Sequence, residues 1–120
     1  MRYALLILTP PDCGASARHA VRLATALVEA GHELLCAFFF DAGVLTGAPG
    51  CDGPGDEADL RRDWQELHDR TGAPLLLCSA SAQRFGVASG DDDGSAFRIA
   101  GLGELVEAGD RADRVLTFAG

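Results

Sequence analysis

Apolar residues run unbroken from Tyr3 to Leu8, the pattern of a strand covered on both faces. Thr9-Pro10-Pro11-Asp12-Cys13-Gly14 interrupts the run and reads as a loop. From Ser16 the period changes. Ala17, Ala20, Val21, Ala24, Leu27 and Val28 share one helical face, while Arg18, Arg22 and Glu29 fall elsewhere. Gly31 stops that helix in the usual C-terminal manner. Glu33 to Phe40 is a second strand ending in three phenylalanines. Asp41 to Gly55, rich in Gly, Pro and Ala, reads as a long loop. Asp56 opens a second helix, with Asp56, Glu57 and Asp59 in its first turn and Arg70 in its last, as the helix dipole favours. Its buried stripe is Leu60, Trp64 and Leu67. Gly72 ends it, and Leu75 to Cys78 forms a third strand. Gly90 to Ser95 is a solvated loop, Leu102, Leu105 and Val106 mark a short third helix, and Val115 to Phe118 is a final strand.

This alternation predicts an α/β domain. The expected architecture is a three-layer sandwich, with a mostly parallel sheet of four to five strands and helices on both faces. Right-handed crossovers then collect the C-terminal ends of the strands on one rim. That rim receives the Cys13 loop, the loop after Phe40, and Cys78.

Composition narrows the picture. With 120 residues and 48% hydrophobic content, residues 1–120 fit one domain with a modest core. The apolar stretches are too short to span a bilayer, and Met1-Arg2-Tyr3 leads straight into strand-like sequence without a signal peptide. The expected location is the cytoplasm, where thiols stay reduced. The formal charge is −8, and all ten basic residues are arginines. Such a surface argues against direct binding to nucleic acid or anionic lipid. The cysteines (Cys13, Cys36, Cys51 and Cys78) form no C-x-x-C pair, and three scattered histidines complete no zinc pattern. No metal and no cofactor are expected.

Cys78 carries the candidate chemistry. It closes the apolar run Pro74-Leu75-Leu76-Leu77 and is followed at once by Ser79-Ala80-Ser81-Ala82. A strand therefore ends in a thiol where a helical turn begins, and unpaired amides at such a turn favour a thiolate. Arg84 and Ser79 are the residues expected to stabilise that anion. The bland alternative is packing, because cysteine is among the most buried residue types.

Cys78 and Arg84 also satisfy Cys-x5-Arg, the spacing of cysteine phosphatases and rhodanese-like sites. Ser79 to Gln83 holds no glycine to open an oxyanion cradle, and Phe85 stands where a hydroxyl would help. In the first loop, Pro10 and Pro11 lack the amide hydrogens a phosphate needs. Gly101-Leu102-Gly103 has Val106 where a dinucleotide fingerprint has its third glycine. Cys13, on the same rim, is a possible secondary thiol. Cys36 packs within a strand, and Cys51 has nothing nearby to tune it. His19, His32 and His68 read as solvated or capping groups. Asp91-Asp92-Asp93 reads as solvated loop rather than a cation site.

Several stretches, in order, extend the reading over nearly the whole chain. They are Ala26-Leu27 through Gly31-His32-Glu33, Phe38-Phe39-Phe40 leading to Gly43-Val44, and Asp63 to Leu67. Cys78 to Gly86 follows as C-S-A-S-A-Q-R-F-G, then Phe97 to Ala108, and Ala112 to Val115. In these the chain resembles the DsrE/TusD family of sulfur-relay subunits. The resemblance implies a small α/β sulfurtransferase subunit whose cysteine at the Cys78 position carries sulfur as a persulfide. It implies sister DsrE-like subunits in a heterohexamer, two copies of each of three. Small sulfur-carrier proteins would be donor and acceptor. The implied pathway is tRNA 2-thiouridine synthesis or dissimilatory sulfur oxidation. Pro10, Pro11 and Cys13 depart from the family's usual first loop, Val87 to Ser95 is shortened and acidic, and Phe85 replaces a basic residue. The alternative to a relay is an interaction subunit without chemistry, in which Cys78 only packs.

Overall fold

The computed structural model describes residues 1–11, 15–47, 56–87 and 96–119. Cys13, Cys51, the Asp91-Asp92-Asp93 run and the second half of the 41–55 segment lie outside them.

Strand β1 (Arg2–Ile7) leads to helix α1 (Ala15–Glu29) and strand β2 (Glu33–Phe39). A 3-10 helix (Asp41–Gly47) precedes α2 (Asp56–Thr71) and β3 (Leu75–Cys78). The short α3 (Ser79–Phe85), β4 (Phe97–Ala100), α4 (Leu102–Arg111) and β5 (Arg114–Phe118) complete the chain. All strand pairings are parallel, in the order β4-β3-β2-β1-β5. The chain steps outward from β1 to β4 and then returns to the far side of β1. With right-handed crossovers, this reversal puts α1 and α2 on one face and α4 on the other. The expected α/β sandwich is the observed fold.

Periodicity explains the helical layer. Ala17, Ala20, Val21 and Ala24 of α1 are buried, as are Leu60, Trp64 and Leu67 of α2. Trp64 packs edge-on against Phe39, with centroids 5.3 Å apart, and Phe39 meets Phe97 at 5.5 Å. Gly31 and Gly72 follow their helices at φ 90° and 74°, in the left-handed region glycine enters freely. His68 accepts its expected capping role: its Nδ1 lies 2.8 Å from the Ala73 carbonyl oxygen. His32 stacks edge-on with Tyr3, and His19 is solvent-exposed on α1.

Two segments differ from the pattern reading. Asp41–Gly47, read as loop, forms a 3-10 helix with Gly43, Val44, Thr46 and Gly47 buried. The reason is steric. A Cβ on Gly43 would collide with the carbonyl oxygen of Ile7, and one on Gly47 would press on Leu77 and Phe97. Those glycines let the segment lie directly on the sheet. The second difference is β4. Its four residues are too few for a periodic signal, yet they pair with β3 from Leu75↔Phe97 to Cys78↔Ala100.

β5 is tied to β1 by Asp113. Its carboxylate accepts from the Arg2 N–H at 2.7 Å, and the Arg2 carbonyl accepts from the Asp113 N–H at 2.8 Å. The Arg2 amide holds the Asp113 carboxyl below the ordinary aspartate value.

Candidate active site at the C-terminal rim of the sheet

β3 has a neighbour on each side, so its last residue lies inside the rim rather than at an edge. That residue is Cys78. It is also the N-cap of α3, at φ −57° and ψ 125°, and no side chain makes a capping hydrogen bond there. Helix starts usually place a Ser, Thr, Asp or Asn oxygen over their free amides. Here the side chain at that position is a thiol. Gly86, at φ 70°, closes α3 with its N–H directed at the carbonyls of Ala82 and Gln83.

A second helix start lies beside the first. Cys78 pairs with Ala100, and the next residue, Gly101, is the N-cap of α4, again without a side-chain cap. Two helix starts without side-chain caps thus lie next to each other on this rim, one at Cys78 and one at Gly101. Sequence reading placed a helix at Leu102 and a failed dinucleotide motif at Gly101-Leu102-Gly103, but did not bring either to Cys78. The apolar Phe97 and Ile99 before Gly101 were the available signal.

Cys78 is 1% exposed. Ser79 and Ala80, immediately after it, are exposed, as are Gln83, Arg84 and Phe85. The Cys78 side chain is therefore enclosed, while the helix that follows it presents an open surface. Of the residues expected around it, Ser79 begins α3 and Arg84 lies in its last turn. The Arg84 guanidinium pairs with the Asp41 carboxylate and lies over the Phe85 ring, 5.1 Å from its centroid. Asp41 comes from the far end of β2, and sequence reasoning missed it. Its backbone is left-handed (φ 54°), and its N–H donates to Ser81 Oγ at 2.9 Å. Cys13 is not among the described residues.

The other described cysteine behaves differently. Cys36, buried in β2, has its thiol pushed up to about 11 from 9.0, first by burial and then by the Glu104 carboxylate. It lines a cleft of about 240 Å³ beneath α4, where Arg98 pairs with Glu104 at 3.3 Å. At neutral pH Cys36 is expected to stay a neutral thiol. Iodoacetamide at pH 7.5 should leave it unmodified in the folded chain and alkylate it after denaturation, as peptide mass mapping would show. Because only the neutral form suits its site, Cys36 stabilises the fold below pH 9 and loses that contribution as pH rises toward 11.

Among the described residues, no group of three or more His, Cys, Asp or Glu side chains could hold a metal, and no helix is long and apolar enough to cross a membrane.

Geometry thus defines a class: a parallel α/β domain with a cysteine where an interior strand becomes a helix. The chain belongs to the DsrE/DsrF-like family, whose model matches residues 1–118. It is 38% identical to the sulfurtransferase TusD of Klebsiella pneumoniae, over 98% of this chain and all of that protein. It is 34% identical to the sulfurtransferase TusD homolog of Pseudomonas aeruginosa, over all of this chain and 98% of that one. Among solved structures, the ychN protein of E. coli superposes with a TM-score of 0.79 at 26% identity, covering 98% of this chain and 100% of that one.

Proposed function

We propose that this chain is a sulfurtransferase subunit that relays persulfide sulfur between carrier proteins through Cys78. The observation that carries this is the position of Cys78 at the start of α3, paired with the residue before the start of α4, in a family whose curated relatives are named sulfurtransferases. The Cys78 thiolate attacks the outer sulfur of a donor persulfide. A new S–S bond forms on Cys78, the donor's S–S bond breaks, and the donor leaves as a thiolate. An acceptor thiolate then takes the same outer sulfur, and Cys78 departs as thiolate again. Neither step is a net oxidation or reduction, so no redox cofactor is required.

The free amides of the two helix starts stabilise the anionic sulfur, with Ser79 beside it. Arg84 contributes from a position shared with Asp41. Burial suits a persulfide, which oxidises readily when exposed. Exposed Leu102 at the start of α4 and Phe85 at the far end of α3 offer carrier proteins apolar surface on the helices that begin at this rim. The relay works in the cytoplasm, without direct contact to nucleic acid or membrane. Of the two pathways the resemblance implies, relatives named TusD favour the one leading to tRNA 2-thiouridine.

α4 supports assembly with sister subunits in a heterohexamer. It has no buried residue, Val106 is 71% exposed, and Val115 on the neighbouring edge strand is 46% exposed. Val106→Glu is expected to weaken subunit association about ten-fold, about 1.4 kcal/mol. The thermal midpoint of the isolated subunit should not change. Sedimentation velocity and a melting curve check the two halves.

The relay is tested by intact-mass analysis after incubation with a cysteine desulfurase and a small carrier protein. The expected result is a reductant-sensitive gain of one sulfur atom. No gain, in the presence of the copurifying sister subunits, would favour an interaction subunit without chemistry.

A further inference from the structure

Asp41 is the one residue other than glycine with a positive φ among those described, at 54°. Such a conformation is uncommon outside glycine, although Asn and Asp adopt it more readily than other residues. It persists where surrounding contacts impose it, and such sites cluster around function. Four contacts surround this one. Phe40 N–H donates to the Ile7 carbonyl at 2.9 Å, and Gly43 N–H closes back on the Phe40 carbonyl at 3.0 Å. The Asp41 amide donates to Ser81 Oγ, and its carboxylate pairs with Arg84.

The 3-10 helix that follows is seated on the ends of the strands. Gly43 touches the β1 backbone, and Gly47 touches Leu77, the residue before Cys78. Asp41 is therefore the point at which a segment fixed to the sheet grips α3. It grips at two places one turn apart. Ser81 lies three residues after Cys78, is 4% exposed, and uses its hydroxyl oxygen to accept the Asp41 amide. Arg84 lies in the last turn. α3 has seven residues, too short to hold its own orientation; buried Ala82 seats it on the core, and these two bonds tie it to the segment after β2.

We propose that Asp41 is a positioning residue for sulfur transfer. By clamping Ser81 and Arg84 it holds the first turn of α3, and with it the direction in which the Cys78 sulfur meets an incoming persulfide. This rests on the reading of Cys78 as the sulfur carrier. In-line attack on an S–S bond is demanding of angle, and a misplacement of about 1 Å can cost about a hundred-fold in rate.

The test uses the full chain, together with any sister subunits that copurify, and a small carrier protein persulfidated by a cysteine desulfurase as donor. Single-turnover sulfur uptake is followed against donor concentration. Asp41→Ala is expected to lower the saturating rate by about ten- to a hundred-fold, with the half-saturating donor concentration unchanged. Asp41→Asn accepts the left-handed backbone and still offers Arg84 an oxygen, so it should recover most of the rate. Ser81→Ala, which removes only the hydroxyl, should show a partial loss of the same kind. The proposal is overturned if Asp41→Ala keeps the native saturating rate, if its loss lies wholly in donor affinity, or if asparagine is as slow as alanine. Persistence of uptake in Cys78→Ser would instead sink the relay reading itself, so the two failures are told apart.

Discussion

Cys78→Ser is expected to abolish sulfur uptake, lowering the rate by about a thousand-fold or more, since loss of a nucleophile removes the covalent route rather than slowing it. A serine hydroxyl is close to the thiol in size, and the site has no capping bond to break, so the fold should survive. The thermal midpoint should stay near that of the native chain, and subunit assembly should be retained. A variant that assembles normally yet gains no sulfur separates chemistry from scaffolding. Equal uptake in the variant would mean that another thiol does the work.

Trp64→Ala is expected to have the largest effect on stability. Trp64 is 1% exposed and joins α2 to the sheet through Phe39, which itself meets Phe97 of β4. Truncating a buried aromatic of this kind costs about 3–5 kcal/mol, against a total of about 5–15 kcal/mol for an ordinary domain. The thermal midpoint should fall by roughly 10–20 °C, as calorimetry would record. The loss should also reach the rim, because Phe97 begins the strand that pairs with Leu75 to Cys78.

Where apolar positions repeat, the chain could be read directly. The stripes of α1 and α2 and the strand that ends at Cys78 are local patterns, and each appears where its spacing places it. The all-parallel sheet follows from the alternation of strands and helices. β4 was not legible because four residues give barely two turns of alternation, and its partner β3 lies some twenty residues back. Asp41–Gly47 was misread for a different reason. Its glycines signal flexibility in sequence but serve close packing in space, against Ile7, Leu77 and Phe97.

The site divides in the same way. Cys78 was visible because strand, thiol and small polar residues are contiguous. Arg84 was visible as a neighbour but its partner was not, since Asp41 lies 43 residues away and meets it only through the crossover. The helix at Leu102 was legible, but its nearness to Cys78 was hidden with β4, because it depends on the pairing of Cys78 with Ala100. Sequence therefore located the candidate thiol, while the elements packed around it come from tertiary contacts.

The most direct measurement is the location of the transferred atom. Protein loaded briefly with sulfur, alkylated without reductant and digested, should carry its extra sulfur on the peptide containing Cys78. The Cys36 peptide should be bare, and those of Cys13 and Cys51 should be empty at the earliest times. Extra sulfur on Cys13 or Cys51 while Cys78 remains unloaded would contradict a relay through the junction of β3 and α3.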